Sequence, residues 1–109
     1  MYIESYVNFR KDTVFNLARL NSKKVLLVFF HGIGDSHLNF KCFFHEKSLQ
    51  EYDLFIADLL GHGYSSSSKD YSFLNQCMAL QTQLSKIIND YEKVVFIFML
   101  YKCVWTKSS

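Results

Sequence analysis

The chain has 109 residues, of which 50% are apolar and 20% are charged, a composition typical of one globular domain and not of a disordered or fibrous chain. The net charge is +2 and the lysines do not cluster, so no nucleic-acid partner is expected. The apolar runs are too short to cross a bilayer, and the N-terminus has no apolar signal-peptide core. We therefore expect a cytoplasmic protein without a membrane span.

The start of the chain predicts a pair of antiparallel strands. Residues 2–9 alternate weakly between polar and apolar side chains, as a half-buried strand does. Residues 13–20 (TVFNLARL) fit a second strand or a helical turn, and the pattern leaves both interpretations open. Asn21 and Ser22 then favour a turn before the next element.

The segment KKVLLVFFHGIGDS, residues 23–36, is the centre of the predicted fold. Its apolar run from Val25 to Phe30 is typical of a strand that is buried on both faces. Gly32 and Gly34 allow the backbone to turn sharply after that strand. A strand followed by a glycine turn is the usual way in which an α/β sheet builds a binding site at the carboxyl ends of its strands.

The remaining elements alternate between helices and strands, which predicts an α/β fold with a mostly parallel sheet and right-handed connections. A helix is expected over residues 36–49, a strand over 53–60, a second helix over 72–91 and a last strand from Val94 to Leu100. The buried face of the second helix is predicted from side chains that recur every three or four positions, namely Cys77, Leu80, Leu84, Ile87 and Tyr91.

Two glycine-containing motifs follow consecutive predicted strands. The first is HGIGDS at residues 31–36, and the second is DLLGHGYS at residues 58–65. In this order and at this separation they resemble the N-terminal half of the α/β-hydrolase superfamily, in its esterase, lipase and epoxide-hydrolase-like members. The resemblance covers roughly residues 2–98. It implies a partial α/β-hydrolase fold in which strand 25–30 lies between the other two parallel strands, with helices on both faces of the sheet.

The resemblance also implies a role for the first motif. In this family the loop after the third strand supplies one N–H group of the oxyanion hole. By resemblance, that donor is the backbone amide of Ile33. Gly32 and Gly34 keep Cβ atoms away from it, so that a substrate oxygen could reach the amide. The expected substrate of the parent family is a small ester-like molecule.

The second motif is expected to be structural. The carboxylate of Asp58 can accept backbone N–H groups within the turn, while Gly61 and Gly63 permit positive φ angles. Ser65 ends the motif. No catalytic side chain is carried over from the family to either motif, and the resemblance implies no cofactor.

The four histidines are not expected to be catalytic or to bind a metal. His31 and His62 lie at motif positions that serve as scaffold in the family, whose catalytic histidine comes much later in the chain. His37 and His45 are expected to be solvated or loop residues. No HExxH or Cys/His ligand spacing is present, so no metal site is expected.

The nucleophile elbow of the family, G-x-S-x-G, is due directly after Phe98, and the sequence has no glycine after Gly63. We therefore interpret residues 1–98 as the N-terminal part of an α/β-hydrolase domain, and residues 99–109 as an unrelated or out-of-frame tail. A frameshift, a premature stop or alternative splicing would each produce such a tail. Without a nucleophile, an acid and the later histidine, the chain is expected to be inactive alone.

Two alternatives remain open. The chain could be a non-catalytic binding or interaction module, and its last strand, an exposed apolar edge, could mediate self-association. A dinucleotide-binding βαβ unit is the other alternative, because Gly32 and Gly34 partly match G-x-G-x-x-G and Asp58 could bind a ribose. His37 stands in place of the third glycine in that pattern.

Overall fold

The protein is described by a computed structural model over residues 2–32 and 34–98, and these residues form one mixed five-stranded sheet with the spatial order β1-β2-β4-β3-β5. Strands β3, β4 and β5 run parallel, and β3 lies between the other two, so the predicted α/β fold and strand order are confirmed. The elements are β1 (Tyr2–Phe9), β2 (Asp12–Arg19), β3 (Val25–Phe30), α1 (Lys41–Phe44), β4 (Asp53–Ala57), α2 (Phe73–Leu84) and β5 (Lys93–Phe98).

The N-terminal residues form an antiparallel hairpin. Phe9 pairs with Asp12 across a turn in which Arg10 has a φ angle of 57°. The region from residue 13 onward is therefore a strand and not a helical turn. Strand β2 pairs antiparallel with β4, so the hairpin extends the sheet on the side of β4.

The sheet separates two hydrophobic cores, because alternate residues of a strand point to opposite faces. Leu26 and Val28 of β3 belong to the core that α2 covers. Leu27 and Phe29 belong to the other core, which contains the aromatic side chains of α1 and the residues before it. The prediction that the two helical regions lie on opposite faces is therefore confirmed.

The prediction of one continuous helix over residues 36–49 is wrong, and the segment is divided into three short helices. It consists of a 3₁₀ helix (His37–Phe40), α1 and a second 3₁₀ helix (Lys47–Leu49). Arg19 of β2 donates hydrogen bonds to the carbonyl oxygens of Phe44 and Leu49. These carbonyl groups therefore have hydrogen-bond donors from outside the segment. This explains why three short helices can form here without the continuous backbone hydrogen bonds of one long helix.

Helix α2 begins as predicted, because the Ser72 hydroxyl accepts the N–H of Asn75, but it ends at Leu84 and not near Tyr91. Of the side chains predicted to be buried, Leu84 lies in the core and Leu80, Ile87 and Tyr91 pack against it, as predicted. Cys77 is exposed, whereas Gln76 and Gln83 are buried. Both glutamines find polar partners inside the protein, which removes the cost of burying them. Within the described residues, no helix has the length and apolar character needed to span a membrane.

Candidate functional site

The two glycine motifs meet at one edge of the sheet. Residues 31–36, which we call the first turn, follow β3, and residues 58–65, the second turn, follow β4. The two strands are parallel neighbours, with Phe29 opposite Ile56 near their ends. Both turns therefore lie at the carboxyl ends of the strands, where α/β folds bind their ligands.

Asp58 joins the second turn to His37, the residue directly after the first turn, from a fully buried position with 1% of its surface exposed. Its carboxylate accepts the N–H of His37 at 2.6 Å and the N–H of Tyr64 at 2.9 Å. It also lies 2.6 Å from Nδ1 of the His37 ring, which donates to it. Three hydrogen bonds to one buried carboxylate hold both turns in place, since bonds to charged groups are stronger than neutral ones.

His37 is buried, so its predicted position as a solvated residue is wrong. Its imidazole packs against the rings of both Phe15 and Tyr64, with centroid distances of 4.6 and 4.7 Å. The Nδ1 bond to Asp58 explains why a polar ring is tolerated there. Nε2 of the same ring is buried without a hydrogen-bond partner among the described residues. His45, in contrast, is exposed, as expected.

His31 and His62 each connect the first turn to the second. Nε2 of His31 accepts the N–H of Leu59 at 2.9 Å, and Nε2 of His62 accepts the N–H of Gly34 at 3.0 Å. Their Nδ1 atoms lie 2.9 Å from the carbonyl oxygens of Gly32 and Leu60, to which a neutral ring donates. Both nitrogens of each ring are therefore occupied by backbone bonds and are not free for proton transfer.

Burial lowers the pKa of His31 below its ordinary value of 6.5, because desolvation penalises the charged imidazolium. The Gly32 carbonyl and the Asp58 carboxylate, whose Oδ1 is 3.9 Å from Nε2, act in the opposite direction but more weakly. A neutral ring is also what the Leu59 hydrogen bond requires, since only an unprotonated Nε2 can accept it.

Two glycines show how differently the turns are packed. A Cβ atom at Gly63, where φ is +51°, would lie 2.2 Å from Oδ2 of Asp58. A Cβ atom at Gly34, where φ is +83°, would meet nothing within 4 Å. The second turn is therefore packed against its own carboxylate, whereas no described residue outside the turn packs against Gly34 of the first turn.

The last residue of the second motif and a glutamine of α2 complete the support. The Ser65 hydroxyl donates to the Asp58 carbonyl at 2.8 Å and accepts the N–H of Phe15 at 2.9 Å, which attaches the second turn to β2. The Gln76 side chain bonds both the N–H and the carbonyl of Leu60. Gln76 was missed from the sequence because a glutamine on an amphipathic helix is usually solvated, and no local pattern indicates its partner sixteen residues away.

The expected oxyanion donor, the amide of Ile33, lies outside the described residues, as do residues 99–109. The neighbouring N–H of Gly34 is used by His62. A cavity of about 10 Å³, lined in part by His31, Asp58 and Gln76, lies at this edge, and it has room for about one water molecule but not for a substrate. No group of three His, Cys, Asp or Glu side chains in the described part of the chain could hold a metal ion.

These turns and this sheet define the class of protein. A family profile described as alpha/beta hydrolase fold matches residues 25–100, which is more than half of the chain. The chain therefore belongs to the α/β-hydrolase fold family, and the resemblance drawn from the two motifs is confirmed. A search of curated proteins by sequence finds no match.

The fold is similar to that of several solved hydrolases. A haloalkane dehalogenase loop variant from Bradyrhizobium elkanii gives a TM-score of 0.75 at 16% identity, over 91% of this chain and 32% of that one. Epoxide hydrolase A from Mycobacterium thermoresistibile gives 0.69 at 20% identity, over 90% and 31%. A thioesterase domain from the curacin biosynthetic pathway gives 0.69 at 19% identity, over 90% and 37%. At these identities the similarity shows the fold, and the chain spans about a third of each structure.

Proposed function

We propose that this chain is part of an enzyme that hydrolyses esters or related bonds of small molecules. In this proposal the sheet edge with the two turns supplies one backbone N–H group of the oxyanion hole. The observation that supports the proposal is the hydrogen-bonded connection between the two turns through Asp58, His31 and His62. Such a connection holds backbone amides of the first turn in a fixed orientation, and preorganised donors stabilise the developing charge of a hydrolytic transition state. By this proposal Ile33 supplies one donor.

The proposed role of these 109 residues is to position an oxyanion-hole donor, and not to hydrolyse a substrate by themselves. The sequence contains no G-x-S-x-G, and His31 and His62 use both ring nitrogens for backbone bonds. One oxyanion donor without a nucleophile or a general base contributes binding at most. We accordingly assign residues 1–98 to the hydrolase domain and residues 99–109 to sequence unrelated to it, with the nucleophile absent from this chain.

Hydrolysis of p-nitrophenyl acetate by the purified chain tests this role. We expect no release of p-nitrophenol above the buffer rate, with an intact serine hydrolase of the same fold as the positive control. A product burst that disappears in Cys103→Ala but persists in Cys77→Ala would overturn the proposal. Cys77 is the matched control because its thiol is free and exposed. Such a burst would identify a cysteine nucleophile.

A second candidate function, self-association or partner binding, is favoured by the exposed edge of β5. Within the described sheet β5 is an outer strand, and Phe96 and Phe98 on it are 45% and 70% exposed. Long apolar edges of this kind pair with other chains unless a charge or a proline blocks them. We expect oligomers in sedimentation velocity, and a shift toward monomer in Phe96→Lys. Phe73→Lys, at an 85% exposed aromatic residue outside β5, is the control.

The dinucleotide alternative is not supported by the contacts of Asp58. A ribose-binding carboxylate must be open to the ligand. Here the carboxylate is buried and already accepts bonds from His37 and Tyr64. Titration with NAD is therefore expected to show no saturable binding.

A further inference from the structure

A cavity of about 450 Å³ lies at the end of the sheet opposite the two turns. It is lined in part by Tyr2, Arg19, Lys23, His45 and Glu46. Arg19 pairs with Leu54 near the start of β4, which places the cavity at the amino ends of the parallel strands. Its volume falls within the range of small-molecule sites, whereas the cavity beside the turns does not.

Arg19 has a buried charge that the described residues do not neutralise. Only 6% of its surface is exposed. None of the ion pairs within 4.0 Å among residues 2–32 and 34–98 includes it. Its two terminal nitrogens donate to backbone carbonyl oxygens, and its Nε is buried without an acceptor. An arginine that is buried without a carboxylate carries a large desolvation cost, which a bound anion would offset.

Two nearby carboxylates are engaged elsewhere. Asp53, in the strand next to β2, accepts the N–H of Asn21 at 2.8 Å and of Lys23 at 3.3 Å, and the hydroxyl of Tyr91 at 2.6 Å. Glu46 lines the cavity, but its Oε1 accepts the N–H of Ser48 at 3.4 Å at the start of a 3₁₀ helix. Neither forms an ion pair with Arg19 within 4.0 Å.

We propose that the cavity formed by Tyr2, Arg19, Lys23 and His45 binds a small oxyanion of the phosphate or carboxylate type. Arg19 supplies a fixed, buried positive charge at the wall of the cavity. Lys23 and His45 are exposed at its surface. Nδ1 of His45 lies 3.0 Å from the Tyr2 hydroxyl, so Lys23 and a protonated Nε2 of His45 are the donors left for a ligand on the solvent side. The rings of Tyr2 and His45 lie 5.2 Å apart and can contact a ligand that carries a planar group.

Arginine guanidinium groups are suited to this role because they remain charged and bind phosphate and carboxylate groups through several donors. The site is distinct from the hydrolase edge, so the proposal stands independently of any hydrolytic activity. It predicts that anions bind to the chain even if no ester is cleaved.

The test is NMR titration of the purified chain with inorganic phosphate, and separately with benzoate, at ionic strength held constant with sodium chloride. We expect a saturable shift of the Arg19 Nε–H resonance with at least one of the two anions, with a dissociation constant on the order of millimolar. Tighter binding of phosphate would indicate a phosphate-bearing ligand, and tighter binding of benzoate an aromatic carboxylate. Absence of saturation with both anions up to about 50 mM would overturn the proposal.

Variants of exposed residues in and outside the cavity distinguish a specific anion site from general attraction of anions to positive charge. Lys23→Gln and His45→Gln are each expected to weaken anion binding roughly threefold to tenfold, which is the effect of losing one solvent-exposed hydrogen bond of ordinary strength. Lys69→Gln is the matched control, because it removes the same charge from an exposed position outside the cavity. Equal weakening in Lys69→Gln would overturn the proposal. Arg19 is left unchanged because its bonds to Phe44 and Leu49 also support the fold.

Discussion

The two turns at the carboxyl edge of the sheet have similar glycine spacing but different surroundings. The second turn closes on a buried carboxylate, and a side chain at Gly63 would collide with Asp58. In the first turn a side chain at Gly34 would contact none of the described residues beyond its chain neighbours, and the turn attaches to the second one through ring nitrogens of His31 and His62. The comparison indicates that the second turn is the rigid support, and that the described backbone of the first turn is held by the ring nitrogens of His31 and His62.

The largest effect is expected from Gly63→Ala in the second turn. The alanine would occupy a left-handed backbone conformation and displace the Asp58 carboxylate, on which His37 and Tyr64 depend. Left-handed strain and the loss of charged hydrogen bonds together cost about 3 to 5 kcal/mol in the free energy of unfolding. Urea unfolding followed by circular dichroism measures this loss. A loss under about 1 kcal/mol would contradict the view of the second turn as rigid support.

A smaller loss in the free energy of unfolding is expected at acid pH, because His31 in the first turn is protonated there. The pKa of His31 is lower in the folded chain than its ordinary value of 6.5, so the unfolded chain binds the proton more readily. The contribution of His31 to stability is therefore complete above about pH 6.5 and is lost as the pH falls through the folded pKa. The slope for one group is at most about 1.4 kcal/mol per pH unit.

Urea unfolding between pH 7.5 and pH 5 (a range of about two units around the transition) measures this slope. The slope should be reduced in His31→Gln, whose amide oxygen can still accept a backbone N–H. His45→Gln is the control, because His45 is exposed and lies outside both turns. If the two variants show the same slope as the unmodified chain, the neutral His31–Leu59 bond does not contribute to the pH dependence.

The elements that were predicted correctly are those whose signal is local. The apolar run of β3, the glycines after β3 and β4, and the start of α2 near residue 72 are each visible within a few residues, and the α/β architecture follows from their order. The interactions that were missed join residues far apart in sequence. His37 can be buried because its ring bonds to Asp58. Asp58 is 21 residues away in the sequence, and no residue near His37 indicates that bond.

Cys77 was wrongly assigned to the buried face of α2 for the same reason. Hydrophobic periodicity selected Cys77, but the helix is rotated so that Gln83 faces the sheet, where its side-chain oxygen accepts from Asn16 at 2.7 Å. A satisfied polar pair of this kind can be buried at little net cost. Hydrophobic periodicity alone treats Asn16 and Gln83 as polar residues and places both at the surface.

The smallest effect is expected from Gly34→Ala, the counterpart of Gly63→Ala in the first turn. The added Cβ atom meets nothing within 4 Å, so the cost is limited to the positive φ angle of +83° and amounts to about 1 kcal/mol. The His62 bond to the Gly34 N–H should persist, since the substitution leaves the amide in place. Urea unfolding of the two alanine variants, compared in the same buffer, measures the difference between the turns. A loss for Gly34→Ala as large as that for Gly63→Ala would show that the first turn is as tightly constrained as the second, and that its backbone is not held open for a substrate oxygen.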